Sequence, residues 1–214
     1  MKQKTAAFIN LLIGLASWGA WLTMLFRLVD SGKFADIGLW SLKYFTVLSN
    51  LFNGTVCLLY ALCLLRGKVS ARLQRWKLTG TAAVALTFWV VLLFLGPIFG
   101  HAAMYRGSNL WLHLLLPLGS MASYALLDGG CRLEQRDTLF AVLAPLGYAA
   151  GYVLNMLVNG VGEGPRTNDR YGFVRWGWGI GLLILGAFLL ITWLTALALN
   201  ALNRRFASRA RSTR

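Results

Sequence analysis

A stripe of polar side chains runs through an apolar segment of the chain, residues 44–65. Thr46, Ser49, Asn50 and Asn53 fall at positions i, i+3, i+4 and i+7, which places them on one face of a helix. Hydroxyls and amides are poorly satisfied against lipid, so we expect this face to point towards neighbouring helices. The spacing alone is compatible with two roles: hydrogen bonding between helices, or a polar site built around a threonine hydroxyl.

A histidine lies among leucines in another apolar segment, residues 110–127. His113 shares a helical face with Pro117, Ser120 and Tyr124. An imidazole inside a membrane needs a partner, so His113 is either a structural group bonded to a neighbouring helix or a chemical one. Pro117 also frees a backbone carbonyl one turn earlier, at residue 113, and allows the helix to bend there.

Thr46 and His113 are expected at the same depth in the membrane. Their segments enter from the same side, and each residue lies roughly 5–6 Å past a polar boundary, at 1.5 Å per residue. The segment 138–158 runs the opposite way and brings Tyr152 and Asn155 to a similar height. The sequence therefore predicts a layer of hydroxyl, imidazole and amide groups just below one membrane interface.

Groups of these types could hydrolyse an ester. A threonine hydroxyl is a weak nucleophile, and neutral His113 could take the proton from Thr46. Polar neighbours would donate to the oxyanion or orient the imidazole, and the candidates are Ser49, Asn50, Asn53 and Asn155, with another hydroxyl or the backbone as alternatives for the imidazole. The expected pocket residues are Pro117, Ser120, Tyr124 and Tyr152. A loop histidine, His101, is the reserve base.

Metal and cofactor chemistry is not expected. The chain has three cysteines and two histidines. Their spacing fits neither a zinc site, nor haem ligation, nor a disulfide framework. We therefore predict that the protein uses no metal and no cofactor.

Composition indicates a membrane protein, because only 13% of the 214 residues are charged whereas 57% are hydrophobic. Six uncharged apolar segments are each long enough to cross a hydrocarbon core of roughly 30 Å as a helix. They are residues 6–26, 44–65, 78–99, 110–127, 138–158 and 177–202. The predicted fold is all-α, with a six-helix transmembrane domain at 1–202 and a basic cytoplasmic tail at 203–214. Small-xxx-small patterns at Gly147 and Gly151 and at Gly177 and Gly181 predict close helix packing.

The distribution of basic residues predicts the orientation. Of the 21 lysines and arginines, fourteen fall on one side of the six segments and seven on the other. Loops rich in these residues stay in the cytoplasm, so both termini are expected there. Their grouping in short clusters between apolar segments favours contacts with membrane lipids and argues against a nucleic-acid partner. The sequence gives no indication of the oligomeric state.

Two motifs resemble a known family. Lys43-Tyr-Phe-Thr46-Val-Leu-Ser-Asn50-Leu and Leu112-His113-Leu-Leu-Leu-Pro117, in a six-span chain of this length, are similar to the androgen-induced protein and androgen-dependent TFPI-regulating protein family and its bacterial relatives. The resemblance implies an intramembrane hydrolase of fatty acid esters of hydroxy fatty acids, with Thr46 and His113 as the catalytic pair. It also implies a bacterial inner-membrane protein whose site lies near the outer face.

The main alternative is a protein without enzymatic activity. A membrane carrier or lipid-binding scaffold would use the polar layer only to hold its helices together. Coupled carriers usually contain ionisable groups within the membrane and often repeated halves. The six segments offer one histidine, no carboxylate and no visible repeat, so the sequence favours the enzyme over the carrier.

Overall fold

The computed structural model describes residues 2–29, 37–164 and 167–212, and this part of the chain is built from helices and turns without β-strands. The six longest helices are α1 (Lys2–Leu25), α2 (Phe45–Leu65), α3 (Ala71–Val90), α4 (Leu116–Leu126), α5 (Leu143–Asn159) and α6 (Trp178–Ser212). Lys33 and Arg166, two of the seven basic residues on the side opposite the predicted cytoplasmic face, lie outside the described residues.

Four of these helices are extended by other helical turns. A π-helical turn, Val91–Leu95, and the short helix Gly96–Phe99 continue α3. Ser108–Leu110 and a second π-helical turn, Trp111–Leu115, lead into α4. The 3-10 helix Arg136–Val142 leads into α5, and the 3-10 helix Phe173–Trp176 comes just before α6.

Five helices of the described chain are long and apolar enough to cross a membrane, and they match five of the six predicted segments. They are Gln3–Leu25, Phe45–Leu65, Ala71–Phe99, Arg136–Asn159 and Trp178–Phe206. The surface fits this assignment, because large apolar side chains such as Phe8 (58% exposed) and Leu183 (74% exposed) cover it while Asn10 and Asn53 are fully buried. Apolar outside and polar inside is the pattern expected for a helical protein embedded in a membrane.

The predicted fourth segment is helical over residues 108–126 but is not among those five. Asn109, His113, Pro117 and Ser120 make it more polar than the others. It packs against α1, α2, α3 and α6, so protein surrounds much of it. A helix in this central position can carry polar side chains that a lipid-facing helix could not.

The boundaries of α3 and α6 differ from the prediction. α3 begins at Ala71 rather than near residue 78, because Ser70 caps the helix by accepting from Leu73 N–H and because Gln74 and Lys77 are buried inside the bundle. α6 shows no break at the predicted domain boundary after residue 202 and continues to Ser212.

Asn203 explains why the bundle does not end at 202. Its side-chain amide donates to the backbone carbonyls of Tyr124 and Asp128 at 2.6 and 3.1 Å, and the residue is buried. The first residue of the predicted tail is therefore part of the helical bundle.

Close packing through glycine occurs between α1 and α2 rather than at the predicted α5 pattern. A Cβ on Gly54 would lie 2.6 Å from Ser17 Cβ, and a Cβ on Gly14 would lie 2.6 Å from Leu58. No heavy atom comes within 4 Å of a Cβ built on Gly147 or Gly151. The small-xxx-small pattern in α5 therefore does not mark a helix contact within the described chain.

A fully buried polar network closes the end of the bundle towards the α2–α3 connection. Lys77 Nζ lies 3.6 Å from Asp128 Oδ2 and donates to Cys57 Sγ at 3.0 Å, and neither charged side chain has any exposed surface. Asn10 and Ser123 also donate to the Asp128 carboxylate, at 2.7 and 3.2 Å. The network joins α1, α2, α3 and the end of α4.

Candidate active site

The threonine of the polar stripe lies in the first turn of α2. Tyr44 is extended (φ −93°, ψ 136°) and its side chain does not cap the helix. Two tyrosines from elsewhere in the chain fasten this end instead: Phe45 N–H donates to the Tyr171 hydroxyl at 3.0 Å, and the Tyr148 hydroxyl donates to the Lys43 carbonyl at 2.7 Å. The position of Thr46 is therefore fixed by α5 and by the loop that follows it.

The imidazole of His113 lies between the threonine and a backbone carbonyl. Its Nε2 atom is 3.2 Å from Thr46 Oγ1, and its Nδ1 atom is 3.2 Å from the carbonyl oxygen of Asn109. A carbonyl oxygen can only accept, so this contact assigns the proton to Nδ1 and the lone pair to Nε2. His113 is thus oriented to accept the Thr46 proton.

The π-helical turn at Trp111–Leu115 leaves a backbone carbonyl of helix 108–126 free to accept hydrogen bonds from α2 and α3. Leu116 N–H donates to the Trp111 carbonyl, five residues back, and Pro117 has no N–H. The Leu112 carbonyl therefore loses both helical donors, and it accepts from Asn50 at 3.0 Å and from Thr87 at 3.4 Å. The carbonyl that accepts side-chain hydrogen bonds is therefore that of Leu112, whereas the sequence predicted that of residue 113.

The polar side chains next to Thr46 on α2 are engaged in structural hydrogen bonds. Ser49 donates to the Thr46 carbonyl at 3.1 Å. Asn50 donates to the same carbonyl at 2.8 Å as well as to Leu112. Asn53 donates to the Ser120 hydroxyl at 2.8 Å. Asn50 and Asn53 therefore hold α2 to the helix of His113, which is the first of the two roles that the spacing of the stripe allowed.

Asn155 lies in a separate group of polar side chains. It donates to Asn168 at 3.1 Å and accepts from Asn159 at 2.9 Å. The carbonyl of Asn109, rather than the Asn155 amide, occupies the position next to His113 Nδ1. The alternative of a backbone group for orienting the imidazole is the arrangement observed.

A mainly apolar cavity of about 70 Å³ opens beside Thr46 and His113. Side chains from α2, α3, α5, α6 and the loop before α6 line it: Phe45, Leu86, Thr87, Val90, Val91, Leu95, Pro145, Tyr148, Ala149, Tyr171, Phe173, Leu185, Phe188 and Leu189. At its edge, Leu95, Leu185 and Leu189 are only half-buried. The cavity therefore places an apolar space, partly open to the surface of the bundle, against the threonine–histidine pair.

The four predicted pocket residues do not line this cavity. Pro117 and Ser120 are buried in α4, and Ser120 is bonded to Asn53. Tyr124 lies in the apolar core against α3 and α6. Tyr152 donates to Asp169 at 2.6 Å. Sequence spacing placed these residues on faces shared with His113 or at its depth, but in the structure Ser120, Tyr124 and Tyr152 contact other parts of the bundle.

The aromatic wall of the cavity includes residues that the sequence did not single out. Tyr148 precedes Tyr152 by one helical turn, and this spacing could have indicated it. Tyr171 and Phe173 stack with ring centroids 5.0 Å apart in a loop with no recognisable motif. Asp169 orders this loop by accepting from Phe173 N–H at 2.8 Å and from Val174 N–H at 2.9 Å.

The reserve base lies apart from the site. His101 is exposed, and its Nε2 atom contacts the Leu92 carbonyl at 3.2 Å. It does not line the cavity that contains Thr46 and His113. Among the described residues, no group of three or more histidine, cysteine, aspartate or glutamate side chains is arranged to hold a metal ion.

A scan against protein-family models and searches of curated proteins and of solved structures found no match to this chain.

Proposed function

We propose that this protein is an intramembrane hydrolase of long-chain acyl esters, with Thr46 as nucleophile and His113 as general base. The observation that carries the proposal is the contact between Thr46 Oγ1 and His113 Nε2 at 3.2 Å, with Nδ1 held by the Asn109 carbonyl. A nucleophile, a base and an orienting acceptor in hydrogen-bonding reach are the arrangement that hydroxyl nucleophiles require.

The proposed reaction proceeds through an acyl-threonine. Thr46 Oγ1 attacks the ester carbonyl carbon, and its proton passes to His113 Nε2. The tetrahedral intermediate collapses as the alcohol leaves with that proton. Water then attacks the acyl group with His113 as base, which releases the carboxylic acid and restores the threonine hydroxyl. Thr46 lies at the N-terminal end of α2, where the helix dipole favours the negative charge that develops.

The cavity and the motif resemblance together support a lipid substrate. At about 70 Å³ the cavity is well below the size of pockets that enclose whole small molecules, roughly 300–1,000 Å³. It can receive the ester group while the acyl chain stays largely in the bilayer. Fatty acid esters of hydroxy fatty acids, the substrates implied by the resemblance, have this form.

The proposed topology has six spans with both termini in the cytoplasm of a bacterial cell, and the helix over residues 108–126 is the fourth span, added to the five long apolar helices. The distribution of basic residues supports this orientation. It puts Thr46 and His113 near the outer face of the inner membrane. A lipid ester could then reach the pair from the outer leaflet past the half-buried leucines.

Hydrolysis by purified protein tests the proposal. Wild-type protein in detergent micelles should release fatty acid from long-chain 4-nitrophenyl esters and from a fatty acid ester of a hydroxy fatty acid. Thr46→Ala and His113→Ala should each abolish this release without changing the melting temperature by more than a few degrees. Thr55→Ala is the matched control, because Thr55 is an exposed threonine of the same helix.

A carrier or scaffold would give a different result. In that case the wild type would hydrolyse none of the esters, or Thr46→Ala would hydrolyse them as fast as the wild type. Either outcome contradicts the proposed pair and leaves the Thr46–His113 contact as a structural hydrogen bond.

A further inference from the structure

The ester-hydrolase proposal requires a hydrogen-bond donor for the oxyanion. The polar side chains expected to supply it donate elsewhere: Ser49 and Asn50 to backbone carbonyls, Asn53 to Ser120 and Asn155 to Asn168. None of these four residues lines the cavity. The donor must therefore be sought among the other groups that line the cavity.

Tyr171 lines the cavity together with Thr46 and His113. Its hydroxyl oxygen accepts the N–H of Phe45 at 3.0 Å, so it is anchored to the residue next to the nucleophile. That hydrogen bond uses a lone pair of the hydroxyl and leaves its proton available.

The Tyr171 proton has no short hydrogen bond within the described chain. Tyr148 lies 3.5 Å away, at the limit of hydrogen bonding, and it gives its own proton to the Lys43 carbonyl at 2.7 Å. The Tyr171 hydroxyl can therefore turn towards an oxygen atom that arrives in the cavity.

The Tyr171 ring is held firmly enough to act as a fixed donor. Its backbone N–H donates to the Tyr152 hydroxyl at 3.2 Å, and its ring stacks on Phe173. Asp169 anchors both neighbours, accepting from the Tyr152 hydroxyl at 2.6 Å and from Phe173 N–H at 2.8 Å. A donor whose orientation is set before the substrate binds needs little rearrangement in the transition state.

From this geometry we infer that Tyr171 is a further catalytic residue, whose hydroxyl donates a hydrogen bond to the oxyanion of the ester during attack by Thr46; this inference rests on the proposed hydrolase function. When Thr46 Oγ1 bonds to the carbonyl carbon, the electron pair of the C=O π bond moves to oxygen, and the Thr46 proton moves to His113. Tyr171 keeps its proton throughout and stabilises the charged oxygen. As the intermediate collapses, the carbonyl re-forms and that hydrogen bond weakens.

Tyr171→Phe removes this donor while keeping the ring. Loss of one oxyanion donor typically lowers kcat by about 100-fold or more, and KM should change little. Tyr105→Phe is the matched control, because it removes the same hydroxyl from a tyrosine that does not line the cavity. This variant should retain kcat within a few-fold of the wild type.

A comparison of esters with thionoesters separates catalysis from a structural effect on Phe45 and Thr46. Sulfur in place of the carbonyl oxygen accepts hydrogen bonds poorly, so the wild type should strongly prefer the oxygen ester. In Tyr171→Phe this preference should shrink by about tenfold or more, whereas Tyr105→Phe should keep it. A structural effect slows both substrates alike.

Each other outcome has a defined meaning. An active wild type with an equally active Tyr171→Phe variant, or an unchanged oxygen-to-sulfur preference in that variant, overturns the role of Tyr171 and leaves the hydrolase proposal intact. A wild type that cleaves no ester overturns the hydrolase proposal itself, and the inference with it.

Discussion

The hydroxyl of Thr46 lies 3.2 Å from Nε2 of His113, although 67 positions separate the two residues in the sequence. Asn109, one turn before His113 in the same helix, holds the other ring nitrogen at the same distance. The pair therefore depends on a local feature, the π-helical turn, and on a tertiary feature, the docking of α2 against the helix of His113. Variants can perturb these two features separately.

Pro117→Ala tests the local feature. An alanine at this position supplies the N–H that proline lacks, so the helix can return to regular α-helical hydrogen bonding and shift His113 relative to Thr46. Because misplacement by about 1 Å can cost about 100-fold in rate, hydrolysis should fall by that order while thermal stability is unchanged or higher. Leu118→Ala, at an exposed position of the same helix, is the control and should keep full activity.

Asn50→Ala tests the docking of the two helices. The substitution leaves the carbonyls of Thr46 and Leu112 without their amide donor. The Leu112 carbonyl then keeps only the long contact with Thr87 at 3.4 Å. Because a poorly satisfied buried polar group costs about 1–3 kcal/mol, the free energy of unfolding in mixed micelles should fall by up to that amount, and hydrolysis should fall with it. An equally stable and fully active variant would show that this amide does not hold the pair together.

The two motif residues and the side of the bundle on which they meet could be predicted from the sequence. The spacing of Thr46, Ser49, Asn50 and Asn53 placed them on an inward face, and equal depth brought His113 to the same layer. Both arguments need only the helical repeat and the cost of polar groups in lipid. In the structure Thr46 and His113 are 3.2 Å apart, and Asn50 and Asn53 bond across to the helix of His113.

The remainder of the site depends on contacts that no local pattern encodes. The Asn109 carbonyl is the partner of His113 Nδ1, and this contact depends on how the His113 side chain is oriented in the π-helical turn. Tyr171 reaches the site because Asp169 folds an irregular loop back over α5. Lys77, which directly precedes the predicted apolar segment 78–99, is buried because it contacts Asp128, just after α4, and Cys57 in α2.

Removal of one partner of the Lys77–Asp128 pair should be the most destabilising change in the bundle. Lys77→Met leaves a buried carboxylate without its cation, which typically costs about 3–5 kcal/mol. The double variant Lys77→Met with Asp128→Leu should recover much of that loss, because neither charge remains. Unfolding of the variants in mixed micelles measures both effects.

The exposed ion pair Arg75–Asp137 provides the contrast. Its charged atoms lie 3.6 Å apart on side chains that are 36% and 20% exposed. Solvent screens such a pair, so Arg75→Gln should change the free energy of unfolding by about 1 kcal/mol or less. Equal losses for Arg75→Gln and Lys77→Met would contradict the expected difference between a buried and a partly exposed ion pair.

Asp169→Ala should lower the rate of hydrolysis by loosening the loop that carries Tyr171, and it leaves the Thr46–His113 contact in place. The change removes the acceptor for the Tyr152 hydroxyl and for the N–H groups of Phe173 and Val174. Backbone amides of residues 169–176 should exchange hydrogen faster, and kcat should fall by about tenfold or more as Tyr171 loses its fixed position. Glu163→Gln, an exposed acidic residue of the same connection, should affect neither readout.

Covalent labelling of the nucleophile tests the central claim most directly. Intact protein is treated with a long-chain fluorophosphonate, and the modified residue is located by peptide mass spectrometry. We predict a single adduct on Thr46 in the wild type and in Thr55→Ala, and none in Thr46→Ala or His113→Ala. An adduct on another residue, or labelling that persists in Thr46→Ala, would contradict the assignment of Thr46 as an activated nucleophile.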